Sequence, residues 1–105
     1  MTLNNHENGQ PFTLKELVQY RKHQINSRHL SLGQDKDIVL LALAENESIS
    51  SECSPTDKLV YMLEGTLEVI LSNQSFVLQA EQSIIIPQNE LHTLQAIGQC
   101  KFLHV

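Results

Sequence analysis

The chain has 105 residues, 41% of them hydrophobic and 18% charged, with a net charge of −5. That length fits one domain with one core. The acidic balance repels phosphate backbones, so nucleic acid and anionic membrane are not expected partners.

Residues 1–10 are mostly polar, with Asn4, Asn5, Asn8 and Gly9, and read as a loose tail. They carry no apolar segment of the signal-peptide kind. No apolar run in the chain approaches the roughly 20 residues a membrane helix needs, so the expected location is the cytoplasm. Residues 11–105 read as the folded domain. Thr13 stands where a helix cap would, with Glu16 as its capping-box partner. Leu14, Leu17 and Val18 follow at helical spacing, which predicts a short helix over Leu14 to Tyr20.

From about Gln24 the period changes to that of strands. Ile25 to Leu32 is the first, and Gly33 to Lys36 a polar turn. Asp37 to Ala44 contains the run IVLLALA, apolar on both faces. Glu45 to Ser48 reads as a turn. Lys58 to Glu64 and Thr66 to Leu71 flank Gly65. Ser72-Asn73-Gln74 is a hairpin-type connection, followed by Phe76 to Leu78 and a turn at Ala80-Glu81-Gln82. Ser83 to Ile86 is closed by Pro87. His92 to Ala96 and Cys100 to Val105 end the chain, split by Gly98. Many short strands with turn residues between them predict an all-β sandwich or barrel. A barrel has one inner face, so a run apolar on both faces needs a second cover. A helix, a second sheet or a partner subunit would supply it, and a homodimer is the simplest answer.

At Glu64-Gly65 and Pro87 to His92 the sequence resembles the cupins, over about residues 37–105. The stretch Leu14-Lys15-Glu16-Leu17-Val18 also resembles the lead-in of small cupins of the "cupin 2" kind. The fold this implies is a single-domain jelly-roll β-barrel with a short N-terminal helix. In the second cupin motif, Pro87 and His92 stand where the pattern asks. Glu81 and Asn89 take its glycine positions and Ala96 its asparagine position. In the first motif Gly65 is present and Lys58 takes the glutamate position. The His-x-His falls on Glu52-Cys53-Ser54 or on Ser51-Glu52-Cys53.

The resemblance implies three histidines and a glutamate holding a divalent transition metal inside the barrel. Only His92 survives in kind. Cys53 as thiolate and Glu52 as carboxylate are the other candidate ligands. Adjacent residues of a regular strand point to opposite faces, so only one of these two enters the barrel. Lys58 pointing inward would repel a cation.

Lys58 and His92 are the candidate catalytic or ligand-binding groups, with Val60 and Met62 lining a pocket on the Lys58 face. Each also has a plain packing or solvation role open to it. His104 shares a face with Phe102, and His29 approaches the lumen or the dimer interface. His6 and His23 fall in the tail or a loop. Cys53 and Cys100 form no CxxC pair and read as free thiols. The chain contains no phosphate loop, GxGxxG, HExxH, GxSxG or zinc-finger spacing. Three functions fit: a small-molecule-binding barrel with a degenerate metal site, a metal-dependent oxygenase or isomerase using His92 and Cys53, and a structural or regulatory homodimer.

Overall fold

The computed structural model describes residues 9–34 and 37–105; of Ser51 it describes only the backbone. His6, most of the polar tail and the end of the Gly33–Lys36 turn lie outside the described residues. Seven strands follow one helical turn. They are β1 (Ile25–Ser31), β2 (Asp37–Leu43), β3 (Ser48–Glu52), β4 (Lys58–Ile70), β5 (Ser75–Gln79), β6 (Ser83–Ile86) and β7 (His92–His104). All pairings are antiparallel, and the sheet runs β1-β2-β7-β4-β5, with β3 also on β7 and β6 also on β4. This is a jelly-roll β-barrel.

The centre of the fold is the β4–β7 ribbon. Its register begins at Val60 opposite His104 and ends at Ile70 opposite Thr93, with irregularities between Met62 and Thr66. Gly65 sits there at φ +81°, a left-handed conformation that L side chains resist. A Cβ on Gly65 would lie 2.4 Å from the Gln99 carbonyl oxygen and 2.8 Å from Cys100 Cα. The two backbones pass too close for any side chain. The ribbon bends at this point. One half then pairs with β2 and β6, the other with β3 and β5. The two halves face each other across the main core of Leu41, Leu43, Val60, Met62, Leu67, Val69, Leu94 and Phe102.

The expected breaks at Gly65 and Gly98 are therefore bends within single strands, not strand ends. Ser48–Glu52, which reads as part turn and part loop in the sequence, is a strand.

The doubly apolar run behaves as its pattern requires. Leu41 and Leu43 point into the barrel, while Leu40 and Ala42 join an outer cluster with Val18, Leu30 and Leu103. Leu14, Leu17 and Tyr20 pack over that cluster, so the chain's own N-terminal segment covers this part of the second face. The segment is not the expected helix. Only Leu14–Leu17 form a 3-10 turn, and Thr13 makes no side-chain cap. Val18 is extended, at φ −134° and ψ 137°. β-Branched Val18 lies 98% buried against the sheet, and that burial outweighs a marginal two-turn helix. No described helix is long and apolar enough to cross a membrane.

Candidate functional site

His92 opens β7, where burial alternates: His92, Leu94 and Ala96 are inward and buried, Thr93 and Gln95 only partly so. His92 is 2% exposed. Its Nδ1 lies 2.9 Å from the Glu90 carbonyl oxygen. A carbonyl only accepts, so Nδ1 carries the proton. Nε2 is fully buried and has no hydrogen-bond partner among the described residues.

The loop that aims His92 is anchored on both sides. Asn89, at φ 63°, donates its N–H to the Ser54 carbonyl at 2.6 Å. Gln88 N–H donates to Asp57 Oδ1 at 2.9 Å. Glu90 Oε2 accepts from the Ser72 N–H at 3.1 Å and hydroxyl at 2.7 Å. Those two bonds hold the Glu90 carboxyl below the usual carboxylate range. Asn89 occupies a glycine position of the motif, and its tolerance of left-handed angles fills the role.

Across from His92 stands Glu52, its register partner on β3. The pairing Ile49↔Leu94 followed by Glu52↔His92 places one extra residue in β3, a β-bulge. The bulge reverses the alternation beyond it. Without it, Cys53 would share the inward face of Ile49. With it, Glu52 faces His92 and Cys53 is exposed.

The Glu52 carboxylate lies 4.0 Å from Lys58 Nζ. Lys58 shares the face of Val60 and Met62, and its side chain is only 15% exposed. It does point inward. Val60 and Met62 are fully buried in the core. They form a packed floor beneath Lys58.

His104 completes the group. It pairs with Val60 on β4 and Val39 on β2, and Val39 pairs with His29 on β1. Burial first, then the charge of Lys58 and the neighbouring imidazoles of His29 and His92, pull its pKa from 6.5 down to about 4. His92 and His104 are the two ends of β7. A straight strand of that length would hold them roughly 40 Å apart. The bend between Met62 and Thr66 instead folds the ribbon back, so that His92 lies near enough to His104 to act on its pKa. The sequence placed His104 on the Phe102 face but outside the candidate set; the cross-strand register is the signal that joins it to Lys58. His29 sits further out, with 52% of its side chain exposed and Nδ1 4.0 Å from Asp37.

Of the surface recesses among the described residues, one lies apart from this group and one takes in His92 itself. The larger, about 610 Å³, is lined by Tyr20, Arg21, Lys22, His23, Glu45 and Asn46, among others. A smaller one, about 250 Å³, runs from Ile70 and Ser72 to Leu91 and His92.

Residues 39–105 match the Cupin_2 family, described as a cupin domain. The chain belongs to that family. This cupin is similar to a cupin superfamily protein from Desulfitobacterium hafniense, with TM-score 0.88, 28% identity, and 99% and 95% of the two chains covered. It is also similar to a conserved protein of unknown function from Streptococcus pyogenes, with TM-score 0.87, 27% identity, and 99% and 91% covered. "Polyketide synthase CurC" of Streptomyces cyaneus is 32% identical over 91 residues, 81% of this chain. The cupin spans only 59% of that relative's length.

The metal that the family implies does not fit the residues present. Of the candidate ligands His92, Cys53 and Glu52, the bulge sends Cys53 outward and Lys58 shares the Glu52 carboxylate. Among the described residues no three His, Cys, Asp or Glu side chains form a group that would hold an ion. The ammonium of Lys58 stands where the glutamate ligand would be.

Proposed function

We propose that this cupin binds a small molecule at the barrel mouth, between Lys58 and His92, without a resident metal. The observation that carries this reading is the buried Nε2 of His92, without a hydrogen-bond partner among the described residues, on the strand position opposite Glu52, whose carboxylate lies 4.0 Å from the mostly buried Lys58. A buried polar atom costs about 1–3 kcal/mol unless something pairs with it, and an occupant of the mouth would pair with it. The similarity to Polyketide synthase CurC favours a polyketide-derived ligand. Elemental analysis of protein purified without added metal tests the metal-free half of the reading. Iron, manganese, nickel or zinc well below one per chain is expected. A stoichiometric metal would overturn it, and a loss of metal and activity together in His92→Ala would favour the oxygenase or isomerase reading.

A homodimer is the second reading, and a specific surface favours it. Leu59, Ile85 and Val105 are 38%, 63% and 56% exposed. Leu59 pairs with Ile85, and it exchanges both backbone hydrogen bonds with Val105, so the three form one apolar row. Light scattering should give twice the chain mass, and Ile85→Glu should return the monomer. A monomeric wild type would refute it. Two free thiols, Cys53 and Cys100, support a cytoplasmic location.

A further inference from the structure

We infer that the mouth selects 2-hydroxy acids, or compounds with the same adjacent pair of a hydroxyl donor and an anionic oxygen. The inference rests on the reading of the mouth as a ligand site and goes beyond it to a chemical class.

The argument starts from the tautomer. The Nδ1 proton of His92 is committed to the Glu90 carbonyl. In the neutral ring Nε2 is then a lone pair, able only to accept. It asks for a donor, and a bare carboxylate has none to offer. A hydroxyl does. Lys58 makes the opposite demand. It has three donors and no acceptor. Its one polar partner among the described residues is Glu52, at 4.0 Å, beyond hydrogen-bond range. Nζ is thus ion-paired without being hydrogen-bonded among the described residues, and its donors can turn to an anionic oxygen.

Glu52 links the two groups. Glu52 is the cross-strand partner of His92 and the ion-pair partner of Lys58. The acceptor and the cation thus lie on either side of one side chain. His104 supplies no competing charge, because burial and the nearby Lys58 charge keep it neutral near pH 7. Beneath them, Val60, Met62 and Phe102 are fully buried and apolar. A ligand carrying both polar groups at one end places its remaining atoms toward that wall or out of the mouth.

The test has two parts, both on the full chain at pH 8. Long-range proton–nitrogen NMR of the ligand-free protein reads the His92 tautomer directly. A proton on Nδ1 and none on Nε2 is expected; a proton on Nε2 overturns the inference whatever binds. Paired acids are then titrated: lactate against propionate, malate against succinate, mandelate against phenylacetate. In at least one pair the hydroxy acid should bind roughly tenfold more tightly or better, because its partner leaves a buried acceptor unpaired. His92→Leu should erase that difference, and Lys58→Met should weaken both members. If His92→Leu fails to fold, the wild-type pairs and the tautomer still decide. Equal binding within every pair overturns the hydroxy-acid class and leaves the ligand site standing. No shift of mouth resonances with any acid overturns both.

Discussion

The phenol of Tyr20 donates a 2.5 Å hydrogen bond to Oε2 of Glu64, on the outer face of β4. Lys101, only 7% exposed, lies 5.0 Å from the centre of the same ring and donates from Nζ to the Lys15 carbonyl at 2.6 Å. These contacts seat the N-terminal segment on the barrel. Burial first, then Glu64, holds the phenol proton on well above its usual range. Tyr20→Phe keeps the ring under Lys101 and removes only the donor. It should cost about 1 kcal/mol, with part of that from the unpaired Glu64 carboxylate. Urea denaturation of the two proteins measures it.

Two positions with positive φ should respond in opposite directions. Gly65→Ala places a Cβ against the Gln99 carbonyl, where backbone and not a flexible side chain must yield. A loss of about 3 kcal/mol or more is expected, from overpacking plus left-handed strain. Glu81 holds φ 72° at a motif glycine position, with its side chain in solvent. Glu81→Gly removes the strain and pays some chain entropy. It should stabilise the protein by about 0.5–1 kcal/mol. Denaturant midpoints at unchanged slope decide both.

The contrast between Lys58 and Cys53 shows what the sequence could reveal. Lys58, Val60 and Met62 lie on a regular stretch of strand, so period-two alternation reads their shared inward face correctly. Cys53 follows a bulge, and one extra residue inverts every face beyond it. Nothing in Ser48 to Cys53 marks that residue, because Ser-Ser carries no left-handed glycine or proline signal. Gly65 and Asn89 were readable because their backbone conformations demand particular residue types. The apolar stripe that predicts a helix over Leu14 to Tyr20 suits an extended segment lying on a sheet equally well. His104 needed the long-range register, which no local pattern contains.

The two thiols should separate cleanly by reactivity. Cys53 is exposed, whereas Cys100 is fully buried behind Gly65 and burial pushes its pKa up to about 12. Only a thiolate attacks an alkylating reagent. Iodoacetamide at pH 8 should modify Cys53 in the native protein and Cys100 only after unfolding. Mass spectrometry of peptides counts the sites. Native modification of Cys100 would show that the β4–β7 bend opens readily.

His104 predicts a pH dependence whose sign follows from its lowered pKa. Near pH 6.5 the unfolded chain begins to bind a proton at this residue, while the folded protein stays neutral there until about pH 4. The unfolded state thus holds more protons through this window, and stability falls as the pH drops across it. The stabilisation is fully present above pH 7 and is lost progressively towards pH 4. The full shift would be worth about 3 kcal/mol, and partial exposure of the ring reduces this to about 1–2 kcal/mol. Carboxylates also titrate at the acid end, so the decisive quantity is a difference between proteins. Wild type should lose about 1–2 kcal/mol more than His104→Gln between pH 7 and pH 4.5, measured by denaturant unfolding at each pH. Lys58→Met should shrink that excess by removing one positive neighbour, but not abolish it, because burial is the larger cause. An excess that vanished in Lys58→Met would mean that charge, and not desolvation, sets the His104 pKa.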